Sequence, residues 1–273
     1  MIATIRGIPA SSLGLAAHPA QDPQCVRRAF ESGINYFFFY SAGEKRFVDA
    51  LKPLVQRSRD EVIVASGSGS RTIRGLRAAR GKTFASVGAE TLDVFFAEYI
   101  NPDDGTNTIF GEGGVLDELR KWKAEGWIRW VGATAHDRTL AKKLVKDSRV
   151  DILMHRYNMA HRKAAVEVFP AAVKSRTPVV AFTATRWGTL LKPHPEWPGE
   201  PPTAADCYRY CLENTAIRLV LTAPKTTAEL NENLRALHSS PMDDETRDRW
   251  ERFGDVVYKH AGGRTHDYES LWP

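Results

Sequence analysis

Short apolar runs alternate along the chain with segments whose apolar residues recur every three or four positions. The runs SLGLA (12–16), NYFFFY (35–40), EVIVAS (61–66), LDVFFAEY (92–99), IRWVGAT (128–134), DILMHRYN (151–158), PVVAFTA (178–184) and IRLVLTA (217–223) have the length and the β-branched or aromatic content of buried strands. Helical periodicity follows each, as in CVRRAFESG after the first and VLDELRKWKAEG after the fourth. It returns at 140–146, 163–174, 204–213 and 227–237. Strands separated by helices build parallel βαβ units, and eight such units within 273 residues predict an α/β fold closed into a (β/α)8 TIM barrel. One domain is expected over 1–273, with a further helix at about 243–260 against the barrel and a loose tail over the last dozen residues. Two longer irregular stretches, 100–114 and 184–202, leave the carboxyl ends of the fourth and seventh strands. Active sites of such barrels lie at those ends, and loops of that length are read as gating elements.

Composition narrows the partners. No apolar run approaches the roughly 20 residues needed to span a bilayer, so no membrane partner is expected. The start, MIATIRGIPASSLG, lacks the apolar region of a secretory signal, which makes the cytoplasm the default location. Three cysteines, at 25, 207 and 211, are too few and too odd in number for a disulfide framework. Cys207 and Cys211 have no His or acidic partner at ligand spacing; they read as small buried residues on one helix, and no metal is assigned. The net charge of +5 is spread along the chain instead of gathered in an arm or stripe, which speaks against a nucleic-acid partner. The same charge suits a phosphorylated cofactor or an acidic small molecule. Oligomeric state is left open.

The stretch GINYFFFYSAGEKRFVDAL, from 33 to 51, resembles the second strand–helix unit of the aldo-keto reductases, which write something close to GINFFDTAxxYG there. The likeness continues through SLGLA, LDVFFAEY, GWIRWVGAT, the Tyr157–Asn158 pair and LTAPKTTAELNENL, over nearly the whole chain. It implies an oxidoreductase in which a Tyr acid, tuned by an Asp–Lys pair and helped by a His, meets hydride from a nicotinamide cofactor. Carried over residue by residue, the Asp falls on Phe38, the Lys at about Gly67 and the His on Glu98. The Tyr falls near Gly43 unless a shortened loop brings Tyr40 into its place. The scaffold resembles the family while the catalytic tetrad is mostly missing from the pattern.

Tyr40 and Glu98 are therefore the catalytic candidates. Strand alternation puts Phe38 and Tyr40 on one face and Phe96 and Glu98 on another, and if both faces point inward the two converge at the barrel mouth. An unassisted Tyr is a weak acid near neutral pH, whereas burial raises a Glu into the range of a proton donor. Arg156, Arg186 and Trp187 are candidates for substrate binding, the arginines as anion clamps; ion pairs with Asp103 or Asp104 are the plainer alternative. His155 is expected to face the helices, and His136 and His161 to open helices past strand ends. For the cofactor, NADP, the resemblance implies Thr134, Phe182, Lys225, Thr226, Thr227 and Asn233. The start of the helix at 227–237 is a natural phosphate site, although Thr226 also reads as a plain N-cap. A non-redox lyase, isomerase or hydrolase acting on an anionic small molecule, and a non-catalytic binding protein, remain as alternatives.

Overall fold

A computed structural model describes residues 2–260, and the expected tail at 262–273 lies outside the described residues. Eight parallel strands close into a barrel in chain order: β1 (Leu13–Ala16), β2 (Tyr36–Phe39), β3 (Ile63–Ser68), β4 (Leu92–Ile100), β5 (Ile128–Ala135), β6 (Ile152–Arg156), β7 (Val179–Phe182) and β8 (Ile217–Thr222). Each falls within about two residues of its apolar run, because an all-parallel sheet covered by helices needs strands apolar on both faces. The helix expected over 163–174 is two, Ala164–Glu167 and Phe169–Lys174. Pro170 has no N–H to give and its ring clashes with the preceding turn, so the chain must restart there. The loop after β4 is less irregular than its composition suggests and holds a short helix, Thr106–Phe110. The last helix, Asp244–His260, packs closely enough that a Cβ on Gly254 would meet the Met159 carbonyl oxygen at 2.2 Å.

Strand alternation divides the core in two. Leu13, Phe37, Val64, Phe95, Val131 and Leu153 point out to the helices. Tyr36, Phe38, Phe96, Met154, Val180 and Leu219 fill the inside. Glycines make room for the large inner rings. A Cβ on Gly132 would lie 2.2 Å from the Phe96 ring, and one on Gly14 would lie 2.9 Å from Tyr36. The amino-terminal end is stoppered by the Ala3–Pro9 bridge, with Ile2 and Ala10 packed on the inner core. Fully buried Asp93 ties this end together, accepting from Arg59 and Arg129 at 2.8 Å each and from the Val64 N–H at 2.8 Å. Arg129 also donates to the Ala3 carbonyl at 2.8 Å, which fixes the stopper to the barrel. The opposite, carboxyl-terminal end is open. Among the described residues no helix is long and apolar enough to cross a membrane.

Candidate active site

Two adjoining cavities of about 640 and 690 Å3 occupy the open end, and His18, Tyr40, Phe182, Thr183 and Trp187 line both. The first extends over β1, β7 and β8 to Lys225, Glu229 and Asn233. The second lies over β2 and β4, with Glu44, Glu98 and Tyr99 in its wall. Tyr40 and Glu98, expected to converge, are thus brought into one cavity.

Glu98 is the next inward position after Phe96 on β4, and only 4% of it is exposed. The facing strand explains how it fits. Gly67 sits opposite Phe96 in the β3–β4 register, and a Cβ there would come within 2.5 Å of Glu98 Oε1 and 2.7 Å of its Cγ. The carboxyl fills space that only a glycine leaves. Its Oε1 has no hydrogen-bond partner, although buried polar atoms almost always find one. Burial holds the carboxyl well above the ordinary carboxylate range, and the nearby charge of Glu44 adds to this against the pull of Arg71. Arg71 is otherwise occupied: it donates to the carbonyls of Glu98 at 2.9 Å and Tyr99 at 2.7 Å and pairs with Asp104 at 2.9 Å. Asp104 therefore serves Arg71, not the arginines of the sixth and seventh strand ends.

Glu44 stands at the start of the helix Lys45–Ser58, and its Oε2 accepts the Tyr40 N–H at 2.9 Å. Burial pushes its pKa up to about 7. It lies in a loop outside any strand pattern, and its only signal in the sequence is an acidic residue directly before a helix. Tyr40 meets Phe38 edge-on, with ring centroids 4.8 Å apart, and stacks on Tyr99 at 5.9 Å. Tyr99 stacks on His136, and His136 packs on Phe182, so a row of rings crosses the mouth from β2 to β7. Burial and a hydrogen bond with Tyr99 push the Tyr40 hydroxyl well above its usual pKa, which makes it a poor proton donor.

The remaining candidates divide. Trp187 is 42% exposed and lines both cavities. Arg156 and Arg186 line neither. Arg186 is buried and donates to the Val257 carbonyl at 3.0 Å, so it fastens the loop after β7 to the last helix where an anion clamp was expected. Thr183, Arg186 and Trp187 in that loop, and Tyr99 at the end of β4, have left-handed backbone with φ of 50–57°. Non-glycine residues adopt that region at a cost, and such outliers gather at functional sites. His155 faces outward, with Nδ1 2.6 Å from the Ala135 carbonyl oxygen, and burial lowers its pKa to about 4. His161 packs on Tyr258, and burial with Arg156 and Arg186 nearby lowers it to about 3.

On the cofactor side, Phe182, Lys225 and Asn233 line the first cavity, while Thr134, Thr226 and Thr227 line neither cavity. Asn233 is buried and donates to Thr222 Oγ1 at 2.7 Å. Thr226 is an N-cap, its Oγ1 accepting the Glu229 N–H at 3.2 Å, and Glu229 Oε2 in turn accepts the Lys225 N–H at 2.6 Å. A carboxylate of the chain itself thus already rests on this helix start. Thr134 and Thr183 each keep a buried Oγ1 without a hydrogen-bond partner near the mouth. The cysteines are all buried, and among the described residues no cluster of His, Cys, Asp and Glu is arranged to hold a metal.

No family model matches the chain. It is similar to the aldo-keto reductase AKR11C1 from Bacillus halodurans, with a TM-score of 0.75 to the holo form and 0.71 to the apo form. Both align at 18% identity over 89% of this chain and 92% of theirs. The likeness shows that the chain shares the fold of those two aldo-keto reductase structures. A D-threo-aldose 1-dehydrogenase from Pseudomonas sp is 21% identical over 189 residues, which is 59% of this chain and 56% of that protein. The match therefore spans little more than half of that relative.

Proposed function

We propose that the chain is a divergent aldo-keto reductase-like oxidoreductase that binds a nicotinamide dinucleotide, NADP in our reading, and reduces a small molecule with Glu98 as proton donor. The observation that carries this reading is the buried Glu98 carboxyl, one oxygen unpartnered, in the wall of a cavity that adjoins a second of about 640 Å3. Pockets of that size suit cofactor-sized ligands. The residues fit a dinucleotide unevenly. Lys225 and Asn233 would hold the adenosine end, and Thr183, which lines both cavities, would lie toward the nicotinamide end. Glu229 covers the helix start, so phosphate recognition falls mainly to Lys225. When bound, the nicotinamide supplies hydride. Glu98 supplies the proton, Tyr40 and Tyr99 exclude water and orient the substrate, and Phe182 and Trp187 stand where the two cavities meet. In this reading the exchange of the family's lysine and histidine for Gly67 and Glu98 is one change in two places. Titration with NADPH, followed by protein fluorescence, should give micromolar binding that weakens about tenfold in Lys225→Ala, as for loss of one charged hydrogen bond. No binding by the native protein would overturn the proposal.

A further inference from the structure

The second cavity joins two features that are seldom lined up by accident. Glu98, whose Oε1 is buried without a hydrogen-bond partner, and Glu44 both line it, together with the rings of Tyr40, Tyr99, Phe182 and Trp187. We propose that this cavity is a site for small organic amines, held as ammonium or iminium cations against Glu98 and Glu44 with their carbon skeletons on the aromatic walls.

A cation bound beside Glu98 favours its ionised form, so the carboxyl gives up its proton as an ammonium enters and the two form an ion pair, with Glu44 in the same cavity wall. Aromatic faces attract the same charge. The other charged groups around the cavity do not compete for the two carboxyls. Lys45 is exposed and pairs with Asp49 at 3.1 Å, and Arg46 is exposed at the rim. Arg71 is bound to two main-chain carbonyls and Asp104. His18 is held below its ordinary pKa by burial and by Lys225. A cation is matched by two groups that can ionise, Glu98 and Glu44, whereas a carboxylate ligand would keep both protonated and gain no opposite charge there, so the site discriminates by sign.

The inference rests on the oxidoreductase reading and names its substrate class. An imine nitrogen is a far stronger base than a carbonyl oxygen, and a carboxylic acid without a lysine to assist it can protonate the first far more readily. The Glu98 proton passes to the imine nitrogen, leaving a carboxylate beside an iminium. The iminium carbon accepts the hydride that a reduced nicotinamide dinucleotide supplies, and the C=N π pair becomes the nitrogen lone pair of the amine. A proton from solvent restores the Glu98 carboxyl.

Calorimetric titration of the native protein at pH 7, without nicotinamide, with benzylamine, benzyl alcohol and benzoate tests this directly. Benzylamine should bind about tenfold more tightly than benzyl alcohol, and benzoate least well, the scale of one ion pair with cation–π contact. The preference should disappear in Glu98→Gln and shrink in Glu44→Gln, a half-buried position whose replacement leaves Glu98 in place. Equal or tighter binding of benzyl alcohol or benzoate overturns the proposal, as does an undiminished amine preference in both variants. NADPH binding is read separately. An amine preference without NADPH binding sustains the site and sinks the redox reading, while NADPH binding without an amine preference does the reverse.

Discussion

A Glu98→Gln protein should bind NADPH as the native chain does and lose about 10²–10⁴-fold in kcat, the usual contribution of a positioned proton donor. Glutamine keeps the shape and the burial of the side chain but has no acidic proton. Steady-state kinetics on a panel of imines and carbonyls would measure the loss, and turnover within a few-fold of native would remove Glu98 from the chemistry. The same variant has a second signature. The folded carboxyl holds its proton at pH values where the unfolded chain, with a Glu near 4.3, has released it. Across that window the native state binds more protons than the unfolded state, so stability falls as pH rises, by about 1.4 kcal/mol for each pKa unit of displacement. Glu44 contributes in the same direction between the unfolded value and about 7. His155 and His161, lowered by burial, act in the opposite direction up to about pH 6.5 but equally in both proteins. Thermal midpoints taken from pH 5 to 8 should therefore gain less, or fall more, with rising pH in the native protein than in Glu98→Gln, and parallel profiles would mean that the carboxyl is ionised in its pocket.

Gly67→Ala is the second substitution with a large expected effect. The new methyl would meet Glu98 Oε1 at 2.5 Å, its Cγ at 2.7 Å and the Phe96 carbonyl oxygen at 2.7 Å. Overpacking of this kind costs about 1–3 kcal/mol, which chemical denaturation would read as a lower midpoint at an unchanged slope. Combined with Glu98→Ala, the penalty should shrink, because two of the three close atoms are gone. An equal loss in both backgrounds would place the crowding on the Phe96 carbonyl and dissolve the link between Gly67 and Glu98.

Much of the scaffold was legible because it depends on pattern. β4 reads as LDVFFAEY and folds as Leu92–Ile100, since length, apolarity and flanking turns all agree. The inward direction of Glu98 followed from its spacing to Phe96. What could not be read was where long side chains end. Arg186 looked like an anion clamp because it follows a strand at the open end, yet a left-handed backbone at φ 50° and a carbonyl on a helix some 70 residues later turn it elsewhere. Glu44 is hard to find for the opposite reason: its one local mark, an acidic residue directly before a helix, does not say that tertiary packing buries it. The first turn of the helix Thr227–Leu234 looked like a phosphate cradle, but Glu229 folds back on it.

The filled interior and the stopper at Ala3–Pro9 have a consequence for traffic. Among the described residues Tyr36, Phe96 and Met154 close the axis below the mouth, so no tunnel runs from one end of the barrel to the other. Whatever reaches Glu98 arrives and departs on the carboxyl-terminal side, where the two cavities lie.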